Sequence, residues 1–255
     1  MHLEAKEHSL TGVKPSFGLS GSTLKIIAMV SMLIDHIGAA VLMPYMEYIL
    51  DTADYETIQK LTEIYEWMRR LGRFAFPIFC FLLVEGFFHT KNVWKYAGRL
   101  FLFALISEVP FDLAFFNEPF RFAYQNVFFT LFFGLCTLIV LRAIENNERI
   151  KRYGRILLTF AVIPAAMLIT YFLKTDYDYK GILSIVILYL FCKTRIFQMV
   201  TGALSFSWEF PAPLSFILLW FYNGKRGWKM KYIFYIFYPL HLLILYLVRL
   251  PLCGS

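Results

Sequence analysis

Charge is scarce in this chain. Only 17% of its 255 residues are Asp, Glu, Lys or Arg, against about 25% in soluble domains. Cysteine is scarce as well. Cys80, Cys136, Cys192 and Cys253 lie far apart with no CxxC pair, which excludes a zinc site of the usual spacing and a disulfide framework. No glycine-rich Walker loop, HExxH helix or GxSxG elbow occurs, so ATP-driven work, zinc proteolysis and serine hydrolysis are not indicated. What is abundant is apolar side chain: 59% hydrophobic, 19% aromatic with 28 Phe, and a mean hydropathy of +0.58. A soluble domain of this length has too little interior for it. The composition is that of an all-α integral membrane protein whose solvent is the lipid bilayer.

The net charge of +7 would suggest nucleic acid in a soluble domain. In a membrane protein it reads as cytoplasmic loops facing anionic lipid, and no nucleic-acid partner is expected. Residues 1–23 read as a flexible polar tail, 24–249 as one polytopic domain and 250–255 as a short terminal tail. Apolar runs at 24–43, 74–89, 97–116, 125–142, 155–173, 180–192, 196–208, 210–222 and 232–249 predict about nine spans, within a range of eight to ten. In Tyr55–Met68, Ile58, Leu61, Tyr65 and Met68 recur every three to four residues among charges, which predicts an amphipathic interfacial helix. With nine spans, the amino terminus inside and the carboxyl terminus outside, 17 of the 25 basic residues fall on the cytoplasmic side. The misfit is Arg69, Arg70 and Arg73, which fall outside.

Within the spans stand Asp35, Glu85, Glu108 and Asp112 with His36 and His241. An ionisable group at mid-bilayer costs roughly 2.5–3.5 kcal/mol on insertion scales, so each needs a cavity or a partner. At about 1.5 Å per residue, His36, Glu108 and His241 lie roughly 14–17 Å into parallel spans and share a depth. Asp112 follows Glu108 by one turn, and Gln125 and Asn126 open the next span on that side. Asp35 and His36 are about 100° apart on a helix and do not share a face. A histidine among carboxylates suits a general base, and it equally suits the proton relay of a transporter. The spacing leaves both open.

An ordered set of motifs separates them. LKIIAMVSMLIDHIG (24–38), RRLGRFAFPIFCFLLVEGFFHTKN (69–92), RLFLFALISEVPFD (99–112), QNVFFTL (125–131), DYDYKGILSI (176–185), YNGKRG and FYIFYPLHLL (222–243) resemble the TraX family of bacterial membrane proteins. The resemblance implies residence in the bacterial inner membrane and transfer of acetyl from acetyl-CoA, as donor substrate, to a pilin-like amino terminus. A surface glycan is an equally allowed acceptor, and no metal is expected. Chemistry then suggests roles. His36 is the expected base, with Asp35, Glu108 or Asp112 orienting it or holding an acceptor ammonium. Gln125, Asn126, Asp178 and His241 are expected at the acceptor or the oxyanion. Lys91, Lys95, Arg99, Arg73 and Glu85 are expected around the coenzyme. A non-enzymatic pilus or conjugation assembly factor remains an alternative, as does a proton-coupled exporter. Oligomeric state leaves no mark in the sequence.

Overall fold

The computed structural model describes residues 18–121, 123–229 and 231–253, which are helical with two isolated bridges and no strand. Residues 1–17 of the expected tail lie outside the described residues. The rest of that segment is tied down. The Leu19 N–H donates to the Phe221 carbonyl at 2.8 Å, the Asn223 N–H to the Leu19 carbonyl at 3.0 Å, and Gly21 and Ser22 donate to the Lys225 and Arg226 carbonyls. Gly227 completes this pairing with φ of +72°. A Cβ there would stand 2.0 Å from the Ser22 hydroxyl, so glycine is required.

Helix α1 (Gly21–Ile37) begins ahead of the apolar run because Ser20 caps it, accepting the Thr23 N–H at 3.2 Å. A π turn, Gly38–Leu42, leads into α2 (Met43–Ile49). Helix α3 (Tyr55–Gly72), capped by Asp54, outruns the 55–68 reading by one turn. It brings Arg69 and Arg70 to its carboxyl end, where cations suit the free carbonyls. Its stripe faces α1, with Tyr65 and Met68 against Gly38, while Tyr55 and Trp67 are exposed.

Helix α4 (Ala75–His89) is apolar on every side, and a helix of that kind belongs in the interior. Ile78, Cys80, Phe81, Val84 and Phe87 are completely buried. It packs on α1 and, further along the chain, on α6 (Val127–Glu145), α8 (Asp178–Leu190) and α10 (Ser215–Trp220). Helix α7 (Arg152–Phe172) is its opposite. Leu157, Phe160 and Phe172 are more than 70% exposed, a surface suited only to lipid. Helix α11 (Lys231–Cys253) lies along α5 (Val93–Phe116) and touches α1. Arg249 of α11 caps α5 by donating to the Leu113 and Ala114 carbonyls and to Asn117 Oδ1 at 2.9–3.0 Å. Helices α9 (Arg195–Ser205) and α10 form a hairpin. Arg195, opening α9, donates to the carbonyls of Leu219, Trp220 and Tyr222 at the end of α10.

The apolar runs became helices, as a helical membrane protein requires, but nine spans are not supported. Five helical stretches among the described residues have the length and apolarity to cross a membrane: Gly21–Ile49, Tyr55–His89, Val127–Glu145, Arg152–Phe172 and Tyr232–Cys253. Helix α5 is long enough at 24 residues but carries Lys95, Arg99, Glu108 and Asp112. Helices α8, α9 and α10, with 13, 11 and 6 residues, fall short of the roughly 20 that one crossing needs. The misfit arginines each meet a carboxylate. Arg69 pairs with Asp35 at 2.7 Å, Arg70 with Glu66 at 3.2 Å and Arg73 with Glu209 at 3.0 Å.

Candidate functional site

A cavity of about 610 Å³ runs beside α1, α4, α5 and α11. Its lining follows α1 from Gly21 to His36, roughly 22 Å at 1.5 Å per residue. One end is basic, formed by Lys25, Lys91, Arg99 and Arg226 with Glu85 and His89. These cations come from the start of α1, the α4–α5 turn, α5 and the 222–228 loop, and the pairing of that loop with Gly21 and Ser22 gathers them. Arg99 lies over the Tyr96 ring at 5.7 Å and is hydrogen-bonded to Tyr235, while its Nε is buried with no partner. The middle is apolar, lined by Met32, Phe79, Leu83, Leu100, Phe128 and Leu131. The far end holds Asp35, His36, Asp176, Tyr177 and Tyr238.

His36 is the histidine at that inner end. Its Nδ1 lies 2.7 Å from Nε2 of His241, and Nδ1 of His241 lies 2.7 Å from the Phe237 carbonyl. His241 is buried and does not line the cavity, so its place is behind His36. Asp35 does not orient His36. Helical rotation turns it to Arg69 of α3, leaving Oδ1 buried and unpartnered.

Glu108 and Asp112 do not orient His36 either. Glu108 accepts from the Asn126 side chain, and Asp112 accepts the Arg121 backbone N–H at 2.7 Å. Asn126 is not free for an oxyanion. Its amide nitrogen donates to Glu108 and to the Ala104 carbonyl, and its oxygen caps α6 by accepting the Phe128 N–H at 3.1 Å. Together these bonds lock α5 to α6. Gln125 is bonded through its backbone to Lys174 and Asp176. Asp178 opens α8, where a carboxylate suits the helix amino end, and its neighbour Asp176 reaches the cavity instead. Lys95 is exposed and outside the lining. Arg73 is outside it too, half-buried in the pair with Glu209.

Three residues at the inner end were missed in the sequence: Asp176 and Tyr177, which line it, and Glu209, which lies outside the lining. Asp176 accepts the Tyr124 hydroxyl at 3.0 Å, and Tyr177 stacks on Phe76 with centroids 3.6 Å apart. Their loop holds Lys174, Tyr177 and Asp178 at positive φ, a conformation costing about 1–3 kcal/mol each that persists only under strong local constraint. The constraint is visible: Thr130 bonds the Asp176 carbonyl, and the Asp176 N–H bonds the Gln125 carbonyl at 2.8 Å. Burial pushes the Glu209 carboxyl up to about 7 despite Arg73, with Asp176 and Asp35 adding to the rise. Burial likewise pushes Asp176 to about 6, against the Tyr124 bond that lowers it. A lone acid between Trp208 and Phe210 was the signal available for Glu209. Among the described residues no group of three His, Cys, Asp or Glu converges as a metal site, and the four cysteines are free.

The family model described as TraX protein matches residues 20–249. The chain belongs to the TraX family. It is also 31% identical to the probable fimbrial assembly protein FimC, serogroup H1, of Dichelobacter nodosus, over 89% of this chain and 94% of that one. No solved structure matches. In this TraX-family chain, the motif containing His36 and the one containing His241 meet at one hydrogen bond.

Proposed function

We propose that this TraX-family protein is a membrane acetyltransferase that moves acetyl from cytosolic acetyl-CoA to an amine or hydroxyl of an exported acceptor. The observation that carries the reading is the cavity that leads from a four-cation mouth to His36 at its inner end. Its volume lies within the range of small-molecule sites. Lys25, Lys91, Arg99 and Arg226 suit the phosphates of the coenzyme, and the apolar middle suits its long arm. A basic mouth facing the cytosol agrees with the positive-inside tendency and with an amino terminus inside. The paired Arg69, Arg70 and Arg73 add little net charge to the opposite side.

At the inner end, His36 takes the proton of the acceptor N–H or O–H as that nitrogen or oxygen attacks the thioester carbonyl. The C–S bond then breaks, and the departing thiolate receives the proton from His36. Asp35, Asp176 and Tyr177 border the point where an acceptor would meet the thioester. The relative's name as a probable fimbrial assembly protein favours a pilin-like acceptor at the inner membrane's outer face.

The same name favours a second reading, a fimbrial assembly factor without catalysis. Mass spectrometry of the cell-surface fraction, with and without the protein, separates the two. A surface component heavier by one acetyl group only when the protein is present supports transfer. An unchanged mass profile with lost fimbriae supports the assembly factor.

A further inference from the structure

His36 and His241 meet edge to edge. Their planes are 4° apart and their centroids 5.0 Å apart, with Nδ1 of His36 only 2.7 Å from Nε2 of His241. That is the arrangement in which an N–H and a ring lone pair share one plane. A carbonyl oxygen only accepts, so the contact between His241 Nδ1 and the Phe237 carbonyl places a proton on Nδ1 of His241. In the neutral ring, Nε2 of His241 then carries a lone pair, and it accepts from Nδ1–H of His36. The remaining nitrogen of His36, Nε2, is left with its lone pair on a ring that lines the cavity.

We propose that His241 is a positioning residue that holds His36 in the Nδ1–H form, so that Nε2 is the base presented to substrate. Without such a partner the choice of tautomer is open, and a ring with its proton on Nε2 would face the substrate with a donor. The wider packing supports the same orientation. Phe115 and Tyr238 stand edge-on to His36 at 5.3 and 6.0 Å, and Phe237 stacks on His241 at 4.6 Å. A neutral partner also suits the setting. A carboxylate in its place would have to be stripped of water within the bundle, whereas an imidazole lone pair carries no such charge. When the acceptor proton arrives at Nε2, the positive charge of His36 is shared along the Nδ1–H bond to His241. It is discharged when the thiolate takes the proton back.

This inference rests on His36 acting as the base, but its test does not. Nitrogen-15 NMR of histidine-labelled protein in lipid nanodiscs reads the tautomer without turnover, with His36→Gln assigning the signal. The expected result is Nδ1–H in the wild type, Nε2–H in His241→Phe and Nδ1–H again in His241→Gln, whose amide oxygen can accept. Acetyl transfer from acetyl-CoA should fall roughly tenfold or more in His241→Phe and recover in His241→Gln. A wild-type His36 protonated on Nε2, or a tautomer that His241→Phe leaves unchanged, overturns the proposal. Absence of acetyl transfer in the wild type would count against the transferase reading alone, and the tautomer would still decide the dyad.

Discussion

Asp35 and Arg69 are joined at 2.7 Å across α1 and α3, and this bond turns the carboxylate away from the histidine next to it. It leaves His36 with a neutral partner. Both side chains are largely buried, Arg69 at 26% and Asp35 at 13% exposed, so removing one partner strands the other charge. Arg69→Met should cost about 1–3 kcal/mol, between exposed and fully buried pairs. Asp35→Asn with Arg69→Met should recover most of it. Thermal unfolding of the two single variants and the double variant in detergent gives the coupling. Additive losses would mean that the pair contributes nothing.

Gly72 lets α3 approach α1 at this point. A Cβ there would lie 2.2 Å from both Cβ and Oδ1 of Asp35. Gly72→Ala should therefore destabilise by about 1–3 kcal/mol through overpacking and displace the carboxylate from Arg69. A melting temperature equal to that of the wild type would show that the two helices are looser than described.

Glu209 provides a pH signature. Its carboxyl is raised to about 7 by burial, so between its ordinary range and 7 the folded protein binds more protons than the unfolded chain. Stability from this group is therefore present at pH 5 and lost as pH rises through 7. Asp176, raised to about 6, acts in the same sense. Glu209→Gln should flatten the fall in melting temperature between pH 5 and 8 by roughly 2–4 °C, the scale of about 1 kcal/mol in a chain this long. A steeper fall in the variant would reverse the sign and contradict the burial argument.

Arg99 is the mouth cation with an unpartnered buried nitrogen. A charge-assisted bond contributes about 1.5–3 kcal/mol, so Arg99→Ala should weaken acetyl-CoA binding by roughly tenfold or more. Titration calorimetry on the nanodisc-reconstituted protein checks this. Unchanged affinity would remove Arg99 from the coenzyme site.

The helices were legible because their apolar runs are long or cleanly bounded, as at Ala75–His89 and Val127–Glu145. The span count was not, because hydropathy does not distinguish a crossing from short packed helices such as α9 and α10. His36, Asp35 and Glu85 stood out as charge in apolar surroundings, and Lys91 and Arg99 as cations of a basic connection; all five line the cavity. The partner of His36 was not. His241 lies 205 positions away, and the choice between it and the nearby carboxylates depends on which face α11 turns to α1. Asn126 and Asp112 show the converse: polar residues in apolar runs whose hydrogen bonds cap α6 and hold the connection that follows α5.

The central claim is that His36 performs the transfer and does not hold the coenzyme. Acetyl-CoA binding and acetyl transfer to the surface fraction, measured on wild type and His36→Gln, test it most directly. Binding should stay within about twofold of wild type while transfer falls about a hundredfold or more, the scale of a lost general base. Transfer at the wild-type rate by His36→Gln would contradict it.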